Sequence, residues 1–149
     1  MRFCYAHRRF ALYPQSVDSW NLSHDNYTDE FLAKTKSLGF DAIEVGLEVM
    51  TQLGSEAKVK EFKAKFNGHG LDIGCVRAGG TLLDAINGPR NRERLNEAIK
   101  YAAWSGAEVV NGAMSAPTRH PEAYPGAASG YPVSQDASRD SMLRVYEDL

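Results

Sequence analysis

The sequence predicts an α/β protein made of four consecutive βα units, mainly because one local pattern repeats. An amphipathic helix, a glycine and a short apolar strand follow one another three times along the chain. The three glycines, Gly39, Gly70 and Gly106, recur at intervals of about 30 to 40 residues, the length of one such unit. A strand-like stretch before the first helix and a helix-like stretch after the last strand complete the four units.

The four predicted strands are short and almost continuously apolar, which is typical of a parallel sheet covered by helices. They comprise residues 2–7, 41–46, 71–76 and 107–111. Because parallel strands are joined by right-handed crossovers, we expect the strands to be adjacent in this order, with the helices outside.

The three repeated helices are identified by apolar residues at spacings of three and four. Their predicted buried faces contain Phe31, Thr35 and Leu38, then Val59, Phe62 and Phe66, then Leu95, Ile99, Ala102 and Ala103. The glycine after each helix can adopt the left-handed conformation that ends a helix, since it has no Cβ atom to clash. A fourth helix is predicted in "ASRDSMLRVYEDL".

Two long connections, residues 11–27 and 113–135, each follow a predicted strand and precede a predicted helix. The connections from helix to strand are, by contrast, little more than a glycine. This asymmetry puts the long loops at the carboxyl ends of the strands, where α/β enzymes bind their ligands. Loops of this length are commonly functional, so we expect a site at that end of the sheet.

The composition is that of an ordinary globular domain, with 149 residues, 43% of them apolar, and a formal charge of −2. This near-neutral charge argues against a nucleic-acid partner and against an anionic membrane surface. No segment approaches the roughly 20 apolar residues that span a bilayer. Cys4 and Cys75 lie in apolar strands, so we expect both to be reduced and buried in a cytoplasmic protein.

Four βα units can form either a small open sheet or half of an eight-stranded barrel, which typically needs roughly 250 residues. No glycine-rich phosphate fingerprint follows any predicted strand, and "RAGGTLLD" lacks the spacing of one and is expected to lead into a loop. The chain stops on a predicted helix with no closing strand. We therefore expect residues 1–149 to be the N-terminal half of a (β/α)8 TIM barrel, one segment of a single barrel domain.

Three segments, "FLAKTKSLGFDAIEVGLE", "GLDIGCVRAGG" and "RERLNEAIKYAAWSGAEVVNGAM", together resemble the first half of the sugar phosphate isomerase/epimerase superfamily. This is the xylose-isomerase-like group of TIM barrels, which also includes the type IV apurinic endonucleases. The resemblance implies an isomerase or epimerase that abstracts a proton next to the carbonyl group of a sugar. It also implies a divalent ion, Mn²⁺ or Mg²⁺, whose ligands come from strands of the second half.

The same resemblance leaves other functions open. The superfamily includes catalytic subunits of C-glycoside deglycosidases, lyases that begin with the same proton abstraction on an oxidised sugar. A half-barrel that binds or assembles without catalysis is a further alternative. The endonuclease branch is disfavoured, because its third and fourth strands should end in histidine ligands, and this sequence has "CVRAG" and "NGAMS" there.

Five polar side chains are predicted to bind the substrate. His7, Glu44, Arg77 and Asn111 lie at or near the ends of the four strands, and His120 lies in the last long loop. The carboxyl ends of parallel barrel strands converge on one mouth, so these residues could meet there. No residue is assigned a catalytic role.

No metal ligand is assigned within the 149 residues, because no His/Asp/Glu cluster has ligand spacing. The expected partners are a small-molecule sugar or glycoside and the remaining half of the barrel or another subunit. We also expect an oligomer, and neither a nucleic acid nor a membrane as a partner.

Overall fold

The computed structural model describes residues 1–6, 23–82 and 87–113. The strands are β1 (Cys4–Ala6), β2 (Ala42–Gly46), β3 (Asp72–Thr81) and β4 (Val109–Ala113). The α-helices are α1 (Asp29–Ser37), α2 (Leu47–Leu53), α3 (Glu56–Gly68) and α4 (Gly88–Ser105), and a 3-10 turn spans His24–Asn26. The helix predicted after the fourth strand lies outside the described residues, as does most of the two long connections.

The four strands form one sheet in the order β1-β2-β3-β4. The β1–β2 and β2–β3 pairs are parallel, and Glu44 of β2 aligns with Ala6 of β1 and Cys75 of β3. This order, with helices alternating between the strands, confirms the predicted arrangement of four βα units. It also excludes the order two-one-three-four, which would have indicated an open, doubly wound sheet.

The register assigns the side chains of the sheet to two faces. One face, which we call the outer face, meets the helices, because the Tyr5 ring lies 6.1 Å from that of Phe31 on α1. The outer-face residues are Tyr5, Ile43, Val45, Ile73 and Val76. The opposite face, which we call the inner face, carries Cys4, Ala6, Ala42, Glu44, Gly46, Cys75 and Arg77.

An aromatic cluster forms the core between α1 and α3. The Tyr27 ring lies 5.8 Å from Phe31, 5.4 Å from Phe62 and 5.5 Å from Phe66, measured between ring centres. Tyr27, Phe31 and Phe66 are fully buried. Both of these helices begin with a hydroxyl cap. The Thr28 hydroxyl accepts a hydrogen bond from the Phe31 amide at the start of α1, and the Ser55 hydroxyl accepts one from the Lys58 amide at the start of α3.

The three repeat glycines end their helices as predicted. Gly39, Gly70 and Gly106 have φ angles of 88°, 69° and 69°, a left-handed backbone that other residues adopt only with strain. The sequence pattern therefore located the boundary between helix and strand correctly in all three units.

The buried face of α4 differs from the prediction. Leu95 and Ala102 are buried as expected, but Ile99 is 50% exposed and Ala103 is also exposed. The buried positions of α4 instead include Asn91, Leu95, Ala98, Tyr101, Ala102 and Ser105. Several of these are small, and small residues let a helix approach its neighbours closely.

Three further details were not predicted correctly. Strand β3 was expected to end near residue 76 and to lead into a loop, but it continues to Thr81. Its extension is held by backbone pairing, because the Leu82 amide donates to the Ala113 carbonyl at 2.9 Å. The short helix α2 was not foreseen. Leu38 is 52% exposed, because it lies at the cap that follows α1.

The described residues fall into two compact units. One contains residues 1–6, 23–77 and 97–111, and therefore the aromatic cluster and most of the inner face. The other contains residues 78–82, 87–96, 112 and 113, where Arg94 donates to the Ala78 carbonyl at 3.0 Å. No helix in the described part of the chain is long and apolar enough to cross a membrane.

Candidate functional site

The inner face carries an ion pair between two neighbouring strands. Arg77 Nε of β3 lies 3.3 Å from Glu44 Oε1 of β2, and the two side chains are only 16% and 7% exposed. Strand β2 is buried along its whole length, so the Glu44 carboxylate lies among apolar neighbours. A carboxylate in such a place needs a cation or hydrogen-bond donors to offset its lost hydration. Arg77 supplies the cation.

A third strand contributes an amide to the same group. Asn111 Nδ2 of β4 donates to Glu44 Oε2 at 3.5 Å, a long hydrogen bond. Unlike Glu44, Asn111 is exposed, so its amide is accessible to a ligand. Glu44, Arg77 and Asn111 thus meet near the carboxyl ends of three consecutive parallel strands, where ligands bind in folds of this kind.

An irregularity in β3 directs Arg77 to the inner face. Ile43 pairs with Ile73, but the next residue, Glu44, pairs with Cys75, so Gly74 is an extra residue in β3. Strict alternation after Ile73 would have turned Arg77 towards the helices. The bulge restores the inward direction and lets Arg77 reach Glu44.

Gly74 has no space for a side chain. A Cβ atom on Gly74 would lie 2.8 Å from Ala42 Cβ and 3.3 Å from Cys4 Sγ, both on the inner face. Two consecutive residues, Gly74 and Cys75, therefore lie over the inner face, and only a glycine can occupy the first position. A glycine inside a strand-like segment is the sequence signal from which this bulge could have been inferred.

We expect Gly74→Ala to destabilise the protein by about 2 kcal/mol, because the added methyl group overpacks the inner face. Gly68→Ala is the matched control, since a Cβ atom at this last residue of α3 meets nothing within 4 Å. Alanine should stabilise that position by about 0.5 kcal/mol. Urea unfolding of both variants checks the prediction, and equal effects at the two glycines would contradict it.

The end of β2 brings a second carboxylate close to Arg77. A Cβ atom on Gly46 would lie 2.9 Å from Glu48 Oε2 and 3.3 Å from Arg77 Nη2, so both groups approach the same point. Helix α2 starts at Leu47, directly after β2, and places Glu48 in its first turn. Glu48 is exposed.

Both cysteines lie on the inner face as free thiols. Cys75 is buried as predicted, but Cys4 is exposed, which corrects the prediction for that residue. The reason is that β1 is the first strand of the sheet among the described residues and presents Cys4 away from the helices. Burial, followed by the charge of Glu44, raises the pKa of the Cys75 thiol to about 11.

Tyr27 of the aromatic cluster is buried and lies within electrostatic range of Glu44 and Arg77. Burial raises the pKa of Tyr27 well above its ordinary value. The positive charge of Arg77 lowers the pKa of Tyr27, and the negative charge of Glu44 raises it. Tyr27 was not among the predicted site residues, and nothing in its sequence context separates it from an ordinary core tyrosine.

The structure brings three of the five predicted residues together, namely Glu44, Arg77 and Asn111. His7 and His120 lie outside the described residues. Within residues 1–6, 23–82 and 87–113, no three His, Cys, Asp or Glu side chains could together hold a metal ion. These residues alone do not fit the divalent ion that the resemblance implies, because Glu44 is already engaged by Arg77.

No protein-family profile and no curated protein sequence matches the chain. Solved structures do match. One is the 3-keto-D-glucoside 4-epimerase YcjR from E. coli, in its apo form, with a TM-score of 0.58 and 18% identity over 99% of this chain and 51% of that one. The chain has the fold of half a TIM barrel.

Two other solved structures agree with this half-barrel. A xylose isomerase domain protein from Planctomyces limnophilus has a TM-score of 0.52 and 16% identity, over 85% of this chain and 56% of that one. A D-psicose 3-epimerase, crystallised in the presence of D-fructose, has a TM-score of 0.52 and 15% identity, over 95% of this chain and 50% of that one. The chain thus spans about half the length of the structures that it matches.

Proposed function

We propose that this chain is the N-terminal part of one TIM-barrel domain, and that the complete protein is a sugar isomerase or epimerase. The reaction is abstraction of a proton next to a carbonyl group, followed by its return to the same or the neighbouring carbon. The observation that carries the proposal is the polar group on the inner face, in which Glu44, Arg77 and Asn111 come from three strands. Two of the similar structures are sugar epimerases, which supports the choice of substrate class.

The three side chains suit a ligand rich in hydroxyl groups. Arg77 contacts Glu44 through Nε, and its guanidinium has further N–H donors near Gly46. The exposed Asn111 amide both donates and accepts hydrogen bonds. In the proposal, these groups orient the sugar, together with His7 and His120. The residue that removes the proton is not assigned to this half.

The divalent ion belongs to the proposal only for the complete protein. Its ligands, for Mn²⁺ or Mg²⁺, would lie outside the described residues, and we assign no step to it. The remaining half of the barrel, or another subunit, is the proposed protein partner, in an oligomeric cytoplasmic enzyme. The free thiols support the cytoplasmic location.

Solvent exchange tests the proposal directly. The complete protein is incubated in D₂O with Mn²⁺ or Mg²⁺ and a panel of free ketoses and 3-keto-glucosides, and the products are followed by NMR. Deuterium at the carbon next to the carbonyl, with an isomerised or epimerised product, supports the proposal. Release of an aglycone from a C-glycoside would establish the lyase instead. Binding without exchange would establish a binding module, and either result overturns the isomerase.

Glu44→Gln should slow this exchange at least tenfold, equivalent to about 1.4 kcal/mol of transition-state stabilisation, because the carboxylate orients both Arg77 and the substrate. Glu61→Gln is the matched control, since Glu61 is an exposed residue of α3 and the same change there should leave the rate unaltered. Rates are compared under saturating substrate. An unchanged rate in Glu44→Gln would show that this carboxylate takes no part in the reaction.

A further inference from the structure

Arg77 is the only lysine or arginine within the four strands that the structure describes. It lies near the carboxyl end of the sheet, beside Glu44 and on the same face. Arg2 precedes β1 at the opposite end of the sheet, where its guanidinium pairs with Asp72 at 2.5 Å. The positive charge that these strands offer to a ligand at their carboxyl ends is therefore that of Arg77.

Two carboxylates flank the Arg77 guanidinium. Glu44 Oε1 lies 3.3 Å from its Nε atom. Glu48 Oε2 and Arg77 Nη2 lie 2.9 Å and 3.3 Å from one point, the position that a Cβ atom on Gly46 would occupy. The Glu48 carboxylate is thus within about 6 Å of Nη2, the range in which opposite charges act strongly on each other. One cation faces two carboxylates, so the group as a whole is negative.

The exposed side of this group is a carboxylate and an amide, whereas its cation is largely covered. Arg77 and Glu44 are 16% and 7% exposed, but Glu48 and Asn111 are both exposed. An anion arriving from solvent therefore meets the Glu48 carboxylate. Arg77 cannot turn fully towards that anion without leaving the Glu44 carboxylate buried and uncompensated.

We propose that this part of the site selects an uncharged sugar over its phosphate ester, and that Glu48 is the residue that sets this selectivity. Sugar hydroxyl groups hydrogen-bond to the Asn111 amide and to the N–H donors of Arg77, and they carry no charge for Glu48 to repel. Selectivity then comes from repulsion of the ester as much as from attraction of the neutral sugar. The inference rests on the proposed function and names its substrate class.

Matched pairs of substrates test the selectivity of the complete protein. Each neutral ketose of the exchange panel is compared with its phosphate monoester in D₂O, and kcat/KM is measured from the uptake of deuterium. We expect kcat/KM to be at least about tenfold higher for the neutral member of each pair, since one site discriminates through the difference in its interaction with the two.

Glu48→Gln tests the assignment to this residue, because it removes one negative charge and keeps the shape of the side chain. The ratio of the two kcat/KM values should move about tenfold towards the ester at low ionic strength. This shift should shrink in about 0.5 M sodium chloride, which screens exposed charges. Glu61→Gln makes the same change in net charge at an exposed position of α3, and its ratio should equal that of the native protein.

Inorganic phosphate gives a second reading of the same charge. Its inhibition constant against the neutral sugar should fall in Glu48→Gln and stay unchanged in Glu61→Gln. A native protein that prefers the ester overturns the inference and leaves the isomerase intact. Equal ratios in the native protein and Glu48→Gln, or equal shifts in the two variants, do the same. No exchange with either member of any pair overturns the proposed function, and the substrate class with it.

Discussion

Arg77→Met is expected to lower the free energy of unfolding by about 3 kcal/mol, because it leaves the Glu44 carboxylate buried without its cation. Methionine fills a similar length but offers no donor, so the contact at 3.3 Å from Nε to Oε1 disappears. The expected loss lies at the low end for a buried pair, since the Arg77 side chain retains 16% exposure. Urea unfolding of the complete protein measures it.

A double-mutant cycle separates the pair from its surroundings. When Glu44→Gln is combined with Arg77→Met, the loss of stability should be smaller than the sum of the two single losses by at least about 1 kcal/mol. Arg90→Met, at an exposed position of α4, is the matched control and should change stability by less than about 0.5 kcal/mol. Strict additivity at residues 44 and 77 would mean that the contact contributes nothing to stability.

Phe66→Ala should lower the free energy of unfolding still further, by about 4 kcal/mol. Phe66 is fully buried, and its ring lies 4.9 Å from the Phe62 ring and 5.5 Å from that of Tyr27. Removing the ring leaves a cavity between α1 and α3 that rigid neighbours cannot fill. Thermal and urea unfolding should both report the loss.

Two further variants are compared with Phe66→Ala. Phe66→Leu retains most of the apolar volume and should recover more than half of the stability. Ile99→Ala removes apolar atoms from a residue that is 50% exposed and should change stability by less than about 1 kcal/mol. A loss in Phe66→Ala no larger than in Ile99→Ala would contradict the assignment of the aromatic cluster as the core.

The features that sequence predicted correctly are those fixed by local chemistry. Gly39, Gly70 and Gly106 ended their helices where expected, because the left-handed backbone after a helix is a property of a few neighbouring residues. The strands and their order followed from apolar runs and the handedness of crossovers. The pairing of Glu44 with Arg77 could be anticipated because both are charges on otherwise apolar neighbouring strands.

The features that sequence missed depend on tertiary contacts. The predicted face of α4 included Ile99 and Ala103, but packing selects the side with Ala98 and Tyr101. The direction of Arg77 depends on the register between β2 and β3, and this register includes a bulge that apolar patterning does not specify. His7 and His120 lie outside the described residues, and their participation in the site stays a prediction.

The extra residue at Gly74 changes the parity of the inward-facing positions in β3. Before it, inward residues are even-numbered, as Asp72 is, and after it they are odd-numbered, as Cys75 and Arg77 are. In a relative whose strand has no bulge, the arginine that points to the inner face would lie one position earlier in the sequence. Sequence alignments of such chains should therefore open a single-residue gap at this point. Likewise, a chimeric barrel that exchanges this strand for a regular one must drop one residue to preserve the direction of its arginine.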